Sequence, residues 1–167
     1  MKKITLALAL FTTAVLLWAC PYKSDVGIDD KPTIKTDNAL LGTWHKSAYP
    51  YDSTEVVFTK NTAQKYLLNT VITDGESGYD TDHYEAWFSK VAKWQLITLY
   101  NTGSKKYSFG EVELSGNSLS IKLLSEDITT QQFSTVADMR KFIEGIYSTN
   151  KVLYDTDADL TGLLKVK

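Results

Sequence analysis

The chain has 167 residues, with 18 basic and 20 acidic side chains, a formal net charge of −2 and a single cysteine. That size suits one domain with one core, and the mildly acidic balance, with Arg140 as the only arginine, argues against a nucleic-acid partner, which needs a basic stripe. One cysteine excludes an internal disulfide, so folding rests on apolar burial, for which ten tyrosines, six phenylalanines and four tryptophans supply material.

The N-terminus opens with Lys2 and Lys3, followed by an apolar stretch from Ile4 to Trp18. This stretch is shorter than the roughly 20 residues a helix needs to span a bilayer, so residues 1–19 read as a signal peptide. The stretch ends in "LWAC", which resembles the lipobox of bacterial lipoproteins, with Leu17 at −3 and Ala19 at −1. The resemblance implies that Cys20 becomes the lipidated first residue of the mature chain. Its acyl chains would be the membrane partner, more than one chain giving stable anchoring. The implied location is the bacterial cell envelope, at the periplasmic or surface face of the outer membrane. The alternative is an ordinary secretory signal that leaves a free thiol. Asp25, Asp29 and Asp30 resemble the surface-export signals of Bacteroidetes lipoproteins. Loss of Lys2 and Lys3 leaves 16 basic against 20 acidic residues, a mature charge of about −4. Residues 20–38 carry two prolines and a glycine without apolar periodicity, and they read as a flexible tether. The folded domain is then 39–167.

Within it the pattern is mainly β. "TEVVF" places Val56 and Phe58 on one face, and "AQKYLLNTVI" places Tyr66, Leu68 and Ile72 on another common face. "DHYEAWFSKVAKWQLITLY" supports two readings over 83–93. Tyr84, Trp87, Phe88 and Val91 follow a helical period, with Asp82 and Glu85 as a capping box. Trp94, Leu96 and Tyr100 alternate instead, and we favour a long aromatic strand pair. "KYSFGEVEL" and "LSIKLL" flank "SGNS", a hairpin signal. Tyr107 and Phe109 are out of phase with Val112 and Leu114, which predicts a β-bulge at Gly110. "STVADMRKFIEG" predicts a helix capped by Ser134 or Thr135, with Met139, Phe142, Ile143 and Ile146 on its apolar face and Gly145 near its end. A last strand covers Thr161 to Lys167.

"LLGTWHKS" resembles the G-x-W motif that opens the first strand of lipocalins and of lipocalin-like lipoproteins of Bacteroidetes, through Gly42 and Trp44. The resemblance implies an antiparallel up-and-down barrel of eight strands, closed or open, with one C-terminal helix, and a β-sandwich is the alternative. It implies that Trp44 plugs the closed end, with Gly42 beside it, and that the open end takes a small apolar ligand. The family's late arginine packs over the tryptophan from a strand end, whereas Arg140 falls on the predicted helix. Phe58, Tyr66, Trp87, Trp94, Tyr100 and Phe109, with Tyr107, are the candidate lining of an apolar cup. The same rings could instead fill a small barrel or form a patch for a protein or glycan partner.

The four letters "YDTD" occur twice, at Tyr79–Asp82 and Tyr154–Asp157. An EF-type loop wants oxygen ligands at alternate positions with glycine at the sixth. From Asp74, the residues Glu76, Asp80, Asp82 and Glu85 fit, but Tyr79 holds the sixth position. From Asp155, Asp157 and Asp159 fit, but Leu160 holds it. Both copies read as polar turns, so no metal or cofactor is assigned. His45 and His83 lack any nucleophile or zinc motif around them, and no catalytic residue is assigned. The expected function is a membrane-anchored, lipocalin-like module that binds or carries a small hydrophobic ligand. The alternative is a surface module that contacts a protein or glycan without an internal pocket.

Overall fold

Eight antiparallel strands close into a barrel in the order in which they occur along the chain. The computed structural model describes residues 20–48, 52–74, 78–156 and 160–166, so the signal-peptide segment lies outside the described residues. The strands are β1 (Gly42–Ala48), β2 (Asp52–Lys60), β3 (Tyr66–Asp74), β4 (Gly78–Val91), β5 (Trp94–Asn101), β6 (Tyr107–Ser115), β7 (Ser118–Leu123) and β8 (Leu163–Lys165). One C-terminal helix, α1 (Val136–Ser148), lies between β7 and β8. Closure comes from β8, which pairs with β7 on one side and β1 on the other. The barrel is therefore closed. Among the described residues no helix is long and apolar enough to cross a membrane.

The segment 83–93 is strand up to Val91, with a two-residue turn after it. β4 runs without interruption to Val91 and turns through Ala92 and Lys93 into β5. Its helix-like spacing arises because both faces are dry. Ala86 and Phe88 pack inside the barrel, while Trp87, Ser89 and Val91 are buried on the outside. The first YDTD copy belongs to this strand and is not a turn. Of the second copy, Asp157 lies outside the described residues together with 158–159, and Tyr154 bridges to Leu124.

Two apolar layers share the wall. The inner one includes Trp44, Val56, Phe58, Tyr66, Leu68 and Phe88. The outer one joins Leu96 and Phe109 of the wall to Met139, Ile143, Ile146 and Tyr147 of α1. Between them Ser89 Oγ and Thr98 Oγ1 satisfy each other at 3.0 Å, so the buried outer face leaves neither hydroxyl orphaned. This second layer removes the predicted bulge. β6 pairs residue by residue with β5 and β7 through Gly110, without an extra residue. Phe109 faces out into the helix layer and Val112 faces in, so the phase change in the sequence marks two cores. Glycine is needed at 110 for another reason. A Cβ there would sit 2.3 Å from the Lys122 carbonyl oxygen.

α1 begins where expected. Thr135 Oγ1 accepts from the Asp138 N–H at 3.1 Å, and Met139, Ile143 and Ile146 are buried. Gly145 lies inside the helix and does not end it. The chain leaves α1 after Ser148, at Asn150 with φ of 54°.

The expected tether is a docked strap. Pro21 bridges to Ser125, Tyr22 N–H donates to the Leu124 carbonyl at 2.7 Å, and Ser24 and Tyr107 exchange both backbone hydrogen bonds at 2.9 Å. The short apolar residues the composition hid, Tyr22 and Ile28, are buried in the outer layer. Arg140 then clamps the strap. It donates to the Ile28 carbonyl at 2.9 Å and the Lys90 carbonyl at 2.6 Å, and it pairs with Asp29. Asp25 pairs with Lys106 at 2.5 Å, so two of the three early aspartates are held within the fold.

Candidate functional site

One end of the barrel is sealed. A one-turn 3-10 helix (Asn38–Leu40) precedes β1 and presses Leu40 beneath the strands. Trp44, fully buried, donates its indole N–H to the Leu40 carbonyl at 2.8 Å. Lys165 of β8 holds its ammonium 4.9 Å from the Trp44 ring centroid and donates to the Ala39 carbonyl at 2.8 Å. A cation thus covers the tryptophan from a strand end, and it is Lys165, not Arg140. Gly42, with φ of 115°, makes the entry to β1 that a side chain would strain.

The six candidate lining aromatics do not form a cup. Only Phe58 and Tyr66 face the interior. Tyr66 stands edge-on to Phe58 at 5.5 Å and to Phe88 at 6.4 Å, and the Asp37 N–H donates to its hydroxyl. Burial raises the Tyr66 hydroxyl above the usual tyrosine range, so it stays neutral there. These rings fill the sealed half, as side chains do in an eight-stranded barrel. Trp87, Trp94, Tyr100 and Phe109 point outward. Trp87 lies buried against Tyr107 with Lys65 over it, Tyr100 stacks at 4.9 Å on Tyr107, and Trp94 meets Tyr147 of α1 at 5.5 Å. Phe109 is part of the outer core. An apolar alternation cannot say which of two dry faces a ring takes.

Among the described residues, the opposite end is open and polar. Strand register sets oblique rows across the inner wall: Lys46, Thr54, Ile72 and Asp80, and then Trp44, Val56, Thr70 and Asp82, the second row running from the sealed end up to the mouth. Cross-strand partners share a face, so both aspartates of the first YDTD copy point into the barrel mouth. Tyr79, by contrast, is largely exposed. A cavity of about 460 Å³ opens here, lined on the barrel side by Asp80, Asp82, Tyr84, Asn101, Ser108 and Leu123, with strap residues Pro21 and Lys23 at its rim.

Asp82 is the centre of this constellation. Its carboxylate accepts from Tyr84 Oη at 3.1 Å and from Asn101 Nδ2 at 2.7 Å. Asn101 is itself fixed, since its Oδ1 accepts the Gly103 and Ser104 N–H groups at 2.9 and 2.8 Å. The β5–β6 turn thereby aims the amide donor at Asp82. Burial, and then the negative charge of Asp82, push the Tyr84 hydroxyl far above its ordinary range, so Tyr84 remains a neutral donor. A carboxylate oxygen takes about two hydrogen bonds, and each here has one from the protein. Asp82 can accept from a ligand.

The other polar candidates lie apart. His83 points outward from β4, its Nδ1 2.7 Å from Asn69 Oδ1, and His45 lies on the outer face of β1 opposite Glu55. Glu85 also faces outward and pairs with Lys65 at 2.5 Å, so strand alternation separates it from Asp82. Among the described residues no three acidic, histidine or cysteine side chains gather as a metal site. Sequence reading missed Asp80, Asp82, Asn101 and Ser108 as a group. The available signal was Asp80 and Asp82 lying in phase with Tyr84, Ala86 and Phe88. No family model matches this chain, and neither the curated proteins nor the solved structures give a match.

Proposed function

We propose that the protein is a lipid-anchored lipoprotein of the bacterial envelope whose barrel holds a small polar molecule at its mouth. The observation that carries this reading is the inward-facing Asp82, oriented by Tyr84 and Asn101 beside a cavity of about 460 Å³. That volume falls within the roughly 300–1,000 Å³ of ordinary small-molecule sites. An eight-stranded barrel has room for packed side chains or one small ligand, and here the sealed half is occupied by Phe58, Tyr66 and Phe88. The hydrophobic ligand expected from the family resemblance therefore gives way to one with hydroxyl or ammonium donors. Such groups satisfy the remaining acceptor capacity of Asp82, and Asp80 adds a second negative charge. Leu123 and Pro21 offer apolar contact.

Native mass spectrometry of the mature chain, purified from its own host, identifies a bound molecule directly. Titration with a panel of polyols and small amines then compares wild type with Asp82→Asn, which removes charge at constant shape. Binding at least tenfold weaker, about 1.4 kcal/mol, is expected with the melting temperature little changed. Equal affinity in the two proteins would refute the site. For the anchor, Cys20→Ala is expected to abolish lipid labelling and release the protein from membranes. Unchanged membrane association in that variant would overturn the lipoprotein reading.

A second reading, a module that contacts a protein or glycan, draws on a different observation. An open groove of about 650 Å³ runs beside α1, with Phe133 and Phe142 in contact within it at 4.9 Å. Phe142→Asp would abolish partner capture under that reading and leave small-ligand binding intact.

A further inference from the structure

We infer that the barrel mouth is apposed to the lipid headgroup layer and that the strap sets this orientation, an inference that rests on the lipidation of Cys20 proposed above. The argument begins with the first residues after that cysteine. The Cys20 carbonyl already accepts the Glu126 N–H at 2.9 Å, Tyr22 is hydrogen-bonded to Leu124 just past β7, and Ser24 to Tyr107 at the start of β6. A free linker over 20–38 would let the domain wander roughly 20–25 Å from its lipid. Here no free residues separate the anchor from the wall.

The rest of the strap determines which end faces the membrane. It descends the outer face, buries Ile28 completely, and reaches the Lys90 carbonyl through Arg140, next to the β4–β5 turn of the sealed end. Thr36 N–H then donates to the Ala63 carbonyl in the β2–β3 turn at the same end. The strap therefore spans the height of the barrel, with Cys20 at the mouth and Trp44 at the far end. The surface around Cys20 is also shared with the site. Pro21 and Lys23 line both the mouth cavity and a second hollow of about 540 Å³ formed with Cys20, Glu126 and Asp127.

Charge does not explain the orientation. Lys23, Lys105 and Lys106 are offset at this rim by Asp25, Glu126 and Asp127. With Asp80 and Asp82 also in the mouth, acidic groups outnumber basic ones there, so attraction to anionic lipid does not draw it in and the covalent geometry decides. High salt, which screens repulsion between an acidic mouth and anionic lipid, therefore does not weaken the orientation.

The test uses the full chain, processed and purified from membranes, then reconstituted in phosphatidylcholine–phosphatidylglycerol vesicles carrying a headgroup-linked quencher. A thiol-reactive dye is placed at Ser104→Cys, in the mouth turn, or at Asn117→Cys, in the sealed-end turn. The two ends are roughly 25 Å apart, from ~3.3 Å of rise per residue along a tilted strand, so quenching at 104 should exceed that at 117 at least about twofold. High salt should not lower that ratio. Equal or reversed quenching on an acylated chain overturns the orientation alone. Dye uptake by the wild-type chain shows an unblocked Cys20 and overturns the anchor, and the inference with it. Ile28→Asp, which frees the strap, should bring the ratio close to one in a variant whose circular dichroism still reports the barrel. A ratio that survives in that variant overturns the role of the strap.

Discussion

The wall formed by β1–β3 and the wall formed by β4–β6 obey different rules. In β2, buried Thr54, Val56 and Phe58 alternate with partly exposed Ser53, Glu55 and Val57. In β5, Leu96, Ile97, Thr98 and Leu99 are buried in succession. The first wall has water on its outer side, and the second is covered by α1 and the strap. Clean alternation marks a strand with one wet face, whereas an unbroken apolar run marks a strand dry on both. The covered half thus serves as core twice, once toward the barrel and once toward the helix.

The sharpest way to break that comparison is to truncate an outward side chain in each half. Phe109→Ala, on the covered side, should cost about 3–5 kcal/mol, the range for a large aromatic lost from a core. Glu55→Ala, facing outward from β2, should stay within about 0.5 kcal/mol. Urea midpoints read both, and a cost below about 1 kcal/mol for Phe109→Ala would remove the outer layer from the core. A smaller effect comes from the cap of the covering helix. Thr135→Ala should lower stability by about 1 kcal/mol through the lost hydrogen bond to the Asp138 N–H. An unchanged midpoint would mean that α1 is held by packing alone.

A further effect lies in alkaline solution. Burial and the neighbouring Glu111 raise Tyr154 from the ordinary value of 10 to about 12. The folded state holds this proton more tightly than the unfolded one. Its contribution is therefore complete below pH 10 and is lost as pH rises toward about 12. Tyr154→Phe should flatten the decline in urea midpoint across that window. A decline as steep as in wild type would assign the effect to other tyrosines.

The same contrast between walls explains what could be read from the sequence. Val56, Phe58, Tyr66 and Leu68 alternate against one wet face, so their strands and their inward direction were legible. The Trp44 plug and the start of α1 were legible too, because G-x-W and a Thr cap are local signals. Phe109, Trp87 and Trp94 were misassigned to a ligand cup because period-two spacing carries no information when both faces are apolar. The strap was hidden for another reason. Its contacts are made across as many as 112 residues of sequence, by a segment whose own composition looks like linker. Asp82 and Tyr84 were visible as in-phase residues of one strand but not as a site, since only register brings Asn101 to them.

The three-residue β8 deserves its own consequence. It meets β1 at two residue pairs and β7 at two, whereas β2 and β3 meet at eight. A closed barrel has no strand edges, and this one owes that condition to its thinnest ladder. If β8 lifts, the edges of β1 and β7 expose backbone donors and acceptors that another chain can pair with. Self-association of this protein should therefore begin at that seam, under conditions too mild to unfold the remaining strands.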